Sequence, residues 1–226
     1  MKKTGCFSKI ICFFLTVWMI AVPVVAQNLQ DQDIQDPQAD NPVNGCFSAD
    51  AAVSFLGGGQ LIKNAKAAFL FERNTQTLMY AWQPDAKLPP SSLVKILTAI
   101  LAIENSDLSD AVMVSQDVLD TVPMDAVSAD LVAEEVMQLQ DLIYCMMVGS
   151  ANDAAAVIAA HTAGSQAQFI SKMNEFASQL GCDGSNFVNP HGLHDEQQYI
   201  TARDAVKILS YAMNNEMFRS VFSCVD

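Results

Sequence analysis

Ser92 and Lys95 stand three residues apart, and Ser150, Ala151 and Asn152 follow 58 residues after that serine. Residues at i and i+3 share one face of a helix, so this spacing sets Lys95 beside the Ser92 hydroxyl. A serine at its free pKa is a weak nucleophile, and an adjacent base is what activates it. A lysine serves as that base only where burial or a neighbouring cation lowers its pKa. Ile96, Leu97, Ala99, Ile100 and Leu101 place the same helix in a core, the setting such lowering requires. Each motif alone also has an ordinary structural reading. Ser91 or Ser92, after Pro89 and Pro90, would cap a buried helix, and Ser150, Asn152 or Asp153 after Gly149 would cap another. Taken together, in this order and at this distance, the two motifs match the serine acyl-transfer set.

Those residues must be positioned by the elements around them. Ala67–Phe71 and Thr77–Trp82 are short aromatic and apolar runs separated by Glu72–Gln76, which predicts a β-hairpin. Helical spacing predicts helices over about 92–104, 134–148, 153–163, 166–180 and 202–214. On the fourth of these, Phe169, Met173, Phe176, Ala177 and Leu180 form the apolar stripe and Gly181 ends it. On the fifth, Thr201 and Asp204 resemble a capping box, and Val206, Leu209, Ala212 and Met213 form the core stripe. The fold class is α/β of the α+β type, with a hairpin first and a mostly helical middle.

Pro90-Ser91-Ser92-Leu93-Val94-Lys95-Ile96-Leu97-Thr98 resembles the active-site segment of the low-molecular-mass penicillin-binding proteins, the serine D-alanyl-D-alanine carboxypeptidases. Asp141–Tyr144 and Val148–Ala155 resemble the family's second motif. Phe187–Leu193 and Tyr199–Asp204 resemble further family segments, and the similarity runs from about Asn64 to the last residue. The resemblance implies the β-lactamase/transpeptidase-like fold. It also implies catalytic roles for Ser92, Lys95 and Ser150, substrate binding by Asn152, and no metal or organic cofactor. The implied substrate is the D-Ala-D-Ala end of peptidoglycan stem peptides in cell-wall construction, with β-lactams as inhibitors.

The family's third motif, Lys-Thr-Gly on a later strand, does not occur before Asp226. Lys3-Thr4-Gly5 lies in the leader and is a chance match. The resemblance therefore implies a partial catalytic domain over 61–226 whose antiparallel sheet is incomplete in this chain. It further implies membrane association through a C-terminal segment that the chain lacks. Two rivals remain. A serine β-lactamase shares the first two motifs, but class A enzymes add a deacylating Glu, and residues 186–192 offer none. A non-catalytic wall-binding or sporulation-associated homologue would have no use for both Ser92 and Lys95.

Composition bounds the rest. Lys2, Lys3 and Lys9 precede the apolar run 10–25, and Val24-Val25-Ala26 offers a cleavage site, the layout of a secretory signal peptide over 1–26. An uncleaved anchor is the other reading, but a run of 16 residues containing Pro23 is short for a span. That layout predicts export, and the resemblance implies that the exported chain works in the cell envelope of a bacterium. Residues 27–60 carry Asp31, Asp33, Asp36 and Asp40 without a basic residue, which predicts an acidic, disordered linker. Without the leader, nine basic and twenty-five acidic residues leave a formal charge of −16, which disfavours nucleic acid as a partner. Cys46, Cys145, Cys182 and Cys224 have no Cys-x-x-Cys spacing, which argues against zinc, and the sequence does not choose a disulfide pair. Cys145, in an apolar helix, reads as a small core residue. His191, between Pro190 and Gly192, reads as part of a turn rather than as a metal ligand with His194 or as the base of a Ser-His-Asp triad.

Overall fold

A computed structural model describes residues 64–224 of the chain. The expected leader 1–26, the linker 27–60 and Cys46 lie outside the described residues. The expected hairpin is formed by β1 (Ala68–Glu72) and β2 (Thr77–Trp82), antiparallel, with an irregularity between Leu70 and Phe71. The Glu72 carboxylate accepts from Asn74 N at 3.0 Å and from Thr75 N at 2.5 Å, closing the turn. A second ribbon pairs β3 (Ala111–Met113) with β4 (Val136–Gln138).

The helices are α1 (Val94–Asn105), α2 (Gln116–Leu119), α3 (Leu139–Val148), α4 (Asn152–Ala163), α5 (Gln166–Gln179), α6 (Ala202–Ala212) and α7 (Glu216–Phe222). A 3₁₀ turn, Ser91–Leu93, leads directly into α1. α1 packs against α3, α4, α5, α6 and α7, and eight of its twelve residues are buried, Lys95 and Thr98 among them. A helix enclosed on nearly all sides is apolar nearly all round, as this one is. α4 buries every residue from Asn152 to Ala159. Four alanines in that stretch let its neighbours approach closely, so the first turn of α4 comes up against α1. The described residues contain no helix long and apolar enough to cross a membrane.

Three expectations need correction. Residues 134–138 are not helical: Val136–Gln138 form β4, paired through Val136 with Met113, and α3 starts only at Leu139. The local apolar pattern continues smoothly across that boundary, and only the distant partner strand decides it. α6 buries Asp204, Lys207, Ile208 and Ala212, with Leu209 and Met213 packed against the core. Val206 is half-buried and not part of that face. Thr201 does cap α6, its hydroxyl accepting from Asp204 N at 3.1 Å, but the Asp204 carboxylate does not reach back to complete a box. It accepts instead from Gly184 N at 3.1 Å and Ser185 Oγ at 2.7 Å, and lies 3.7 Å from Lys207 Nζ. Lys207 also donates to the Gly181 carbonyl just beyond α5, where φ is +66°. A cation at a helix C-terminus meets its unpaired carbonyls and the negative end of its dipole.

Candidate active site

The chain enters the site through Leu88, whose N–H and carbonyl pair with Ile200 at 3.0 and 2.9 Å. Pro89 and Pro90 then lead to Ser91, held at φ +47°. A non-glycine residue in the left-handed region is uncommon and persists only where its surroundings enforce it. The enforcement comes from Gly192. A Cβ on that glycine would fall 1.9 Å from the Ser91 carbonyl oxygen, and its own φ is +88°. Glycine alone permits both the conformation and the approach.

The 188–193 loop that delivers Gly192 is built by two side-chain amides. Gln198 Oε1 accepts from Val188 N and Asn189 N, each at 3.0 Å, and Asn189 Oδ1 accepts from Gly192 N at 2.7 Å. The loop is fastened to α1 by Thr98, whose hydroxyl donates to the Pro190 carbonyl at 2.7 Å. His191 sits inside it, buried, its Nδ1 accepting from Leu193 N at 3.2 Å. Burial first, and then the charge of Lys95, push its pKa down to about 4, so the ring is neutral at physiological pH. That matches its expected place in a turn, and His194 is exposed.

Ser92 is exposed, and its Oγ lies 3.1 Å from Ser150 Oγ. Lys95, only 3% exposed, donates to Ser150 Oγ at 3.2 Å and to Asn152 Oδ1 at 2.8 Å. The spacing had set Lys95 directly beside Ser92; the hydrogen bonds run through Ser150 instead. Ser150 follows α3, and its φ is +56°, a second left-handed serine, in contact with Ser92, the neighbour of the first. The four residues singled out from the sequence thus meet in one cluster, two from the start of α1 and two from the start of α4.

Desolvation lowers the Lys95 pKa to about 8, partly offset by the negative charge of Asp153. Both polar contacts of the amine are to neutral groups, which accept from the protonated form without compensating its loss of hydration. At pH 7 roughly one molecule in ten therefore holds Lys95 uncharged.

Two participants were not singled out from the sequence. Val127 accepts from Asn152 twice, from N at 2.9 Å and from Nδ2 at 2.8 Å, which fixes the amide so that Oδ1 faces Lys95. Asp153, read as at most a helix cap, accepts from Ser128 Oγ at 2.6 Å, from Ala129 N at 3.0 Å and from Leu131 N at 3.1 Å. Burial works to raise its pKa, but these bonds and that from Ala154 N together hold it below the usual carboxylate range. Both contacts span more than twenty residues, and no local pattern signals them. Cys145 is half-buried on α3, packed against the core, and Cys145, Cys182 and Cys224 are free thiols. No group of three or more His, Cys, Asp or Glu among the described residues is arranged to hold a metal ion.

Comparison with known proteins identifies the family and the fold. The family profile for D-alanyl-D-alanine carboxypeptidases matches residues 59–223. The D-alanyl-D-alanine carboxypeptidase DacF of Bacillus subtilis is 32% identical over 161 residues, 67% of this chain and 41% of that protein. The D-alanyl-D-alanine carboxypeptidase of a Streptomyces strain is 32% identical over 166 residues, 70% of this chain and 57% of that protein. Among solved structures, a mutant Streptomyces DD-transpeptidase superimposes with a TM-score of 0.65 at 30% identity, covering 69% of this chain and 63% of that one. Penicillin binding protein 5 from Haemophilus influenzae gives a TM-score of 0.62 at 27% identity, covering 66% of this chain and 45% of that one. The chain thus spans roughly half the length of the relatives it matches, or less. It belongs to the D-alanyl-D-alanine carboxypeptidase family and has the penicillin-binding protein/transpeptidase fold.

Proposed function

We propose that this member of the D-alanyl-D-alanine carboxypeptidase family carries the acylating centre of a serine enzyme that removes the terminal D-alanine from peptidoglycan stem peptides. The observation that carries the reading is the unbroken run of contacts Ser92–Ser150–Lys95–Asn152, with the lysine buried among neutral partners. Ser92 Oγ attacks the carbonyl between the two D-alanines while its proton passes to Lys95, by way of the Ser150 hydroxyl. The Ser92 N–H, in the first turn of the helical segment, has no helical acceptor and supplies an oxyanion donor. The C–N bond then breaks, and Ser150 hands the proton from Lys95 to the departing amine. Water hydrolyses the ester and frees Ser92. Asn152 holds the substrate amide and keeps Lys95 aimed at Ser150.

In this reading residues 1–26 direct export, 27–60 form an acidic linker, 61–226 belong to the catalytic domain, and the enzyme works in the bacterial cell envelope. Penicillin, an analogue of the D-Ala-D-Ala amide, is the direct probe. Mass spectrometry of a penicillin-treated sample is expected to find one adduct, on the peptide containing Ser92. An adduct on another residue, or no adduct on folded protein, rejects the reading.

A further inference from the structure

Asn152 and Asp153 are consecutive, and both reach back to one segment more than twenty residues earlier in the chain. Asn152 takes the Val127 carbonyl through N and Nδ2, at 2.9 and 2.8 Å. Asp153 takes Ser128 Oγ, Ala129 N and Leu131 N on its two carboxylate oxygens, at 2.6, 3.0 and 3.1 Å. An acidic residue serving only its own helix would accept from N–H groups of that helix's first turn. Asp153 does so once, from Ala154 N at 2.8 Å, while its remaining contacts come from residues 128–131. Asp153 as a whole is 4% exposed, and in such a setting bonds of this charge-assisted kind are strong and their absence leaves a buried charge unmatched.

The consequence reaches the base. Lys95 Nζ donates to Asn152 Oδ1, and the Asn152 amide is held at its other end by Val127. Val127 is the residue immediately before the segment that Asp153 fastens. If that segment drifts, the Val127 carbonyl drifts with it, Asn152 can turn, and Lys95 loses its closest acceptor. The charged and titratable groups that act on Lys95, or feel it, are Asp153 from α4 and His191 from the 188–193 loop. Of the two, Asp153 is the anion, and it favours the protonated amine, while His191 is neutral at working pH.

We propose that Asp153 is a positioning residue for the acylating centre, fastening segment 127–131 so that Val127 orients Asn152 and Asn152 orients Lys95. The proposal rests on the acyl-transfer reading above for its kinetic consequence, but the fastening itself is independent of it. Asp153→Asn keeps the shape while replacing one acceptor oxygen by a donor facing N–H groups, and it removes the charge. Ser128→Ala removes one of the contacts to Asp153, together with the bond that the hydroxyl accepts from Asp130 N at 2.8 Å, and leaves the charge in place.

The test pairs two measurements on the full protein. Hydrogen exchange reads the amides of Ala129 and Leu131; the rate of acylation of Ser92 by a fluorescent penicillin is followed from pH 5 to 10. For Asp153→Asn, exchange at both amides is expected to quicken at least about tenfold. Acylation is expected to slow by about a hundredfold, the scale of a misplaced catalytic group. The acid limb of its pH profile should also move to lower pH, because the anion that favoured protonated Lys95 is gone. Ser128→Ala should give smaller changes in exchange and rate with the limb unmoved. Unchanged exchange in Asp153→Asn overturns the fastening. Faster exchange with unaltered acylation, or slower acylation with an unmoved limb, assigns Asp153 an architectural role only and overturns the positioning. If Asp153→Asn does not fold, Ser128→Ala decides: faster exchange at Leu131 with slower acylation supports the proposal, and unaltered acylation overturns it. A wild-type protein that takes no label on Ser92 rejects the acyl-transfer reading instead, and the exchange measurements still decide whether Asp153 fastens the segment.

Discussion

Two buried lysines sit on neighbouring helices, Lys95 on α1 and Lys207 on α6, and their surroundings are opposite. Lys207 is 9% exposed, donates to the Gly181 carbonyl and has the Asp204 carboxylate 3.7 Å away. Lys95 is 3% exposed and donates only to the hydroxyl of Ser150 and the amide oxygen of Asn152. The anion nearest to it in influence, Asp153, has its oxygens occupied by Ser128, Ala129 and Leu131. A buried cation with a carboxylate of its own is a structural tie. A buried amine denied one is poised to exist uncharged, which is what a general base requires. The lysines differ less in depth than in whether a nearby carboxylate is available to them.

The most severe way to test that contrast is to remove each amine. Lys95→Ala should slow acylation by about a hundred- to ten-thousandfold, the usual contribution of a general base, with circular dichroism unchanged. An acylation rate within tenfold of wild type would transfer the base role to another group.

Next in size is the pH dependence of stability. The pKa of Lys95 falls from 10.5 to about 8 on folding. Below about 8 the lysine is protonated in both states and its burial opposes folding in full. Between about 8 and 10.5 the unfolded chain holds the proton that the folded one has released, so stability rises with pH by roughly 3 kcal/mol in total. Because the buried Cys182 thiol, pushed up to about 12, lowers stability as pH rises above about 9, the rise is read as the difference in urea-derived stability between wild type and Lys95→Met from pH 7 to 10.5. A difference that does not change with pH would mean that Lys95 keeps its proton in the fold.

Lys207→Met sharpens the contrast from the other side. It takes the cation from beside the buried Asp204, which keeps Gly184 N and Ser185 Oγ, and the lysine donor from the Gly181 carbonyl, and should lower stability by about 1–3 kcal/mol. Acylation per folded molecule should be nearly unaltered. Equal kinetic damage from both lysines would erase the distinction between base and tie. The smallest effect belongs to a cation with a largely solvated partner, Arg203, whose Nε donates to Asp85 at 2.7 Å although Asp85 is 64% exposed. Asp85→Asn should shift stability by no more than about 0.2–1 kcal/mol, and salt should shrink the shift further.

The sequence made some of this legible. Ser92 and Lys95 are close because three residues bring helical positions onto one face, and that is local geometry. Ser150 and Asn152 were identified through motif order, since nothing local says that the start of α4 meets the start of α1. Of the stripe Phe169, Met173, Phe176, Ala177 and Leu180, all are buried as the spacing indicates except Phe176, which is half-buried and packed against the core. β4 was misread as helix and β3 went unanticipated, because strands of three residues carry too little pattern, and in β4 too little to outweigh the helical run that follows. The seven-residue α7 is similarly brief and went unanticipated. Asp153 and Asp204 were both read as cap residues, a local role. Each instead gives its carboxylate to donors about twenty residues away, a choice made by packing rather than by propensity. The left-handed Ser91 and Ser150 were invisible for the same reason: serine does not advertise a positive φ as glycine does.

The seating of Gly192 against Ser91 also ties the site to the order of folding. Residues 91 and 192 are far apart along the chain, and so are Thr98 and Pro190, whose hydrogen bond spans 92 residues. Contacts this remote close late, because loop-closure entropy opposes them until intervening helices have compacted the chain. In a refolding experiment helical signal should therefore recover before the ability to take up penicillin, with the interval set by docking of the 188–193 loop. On the proposed reading Ser92 becomes competent only once a distant loop has arrived, so covalent labelling would count finished molecules rather than merely helical ones.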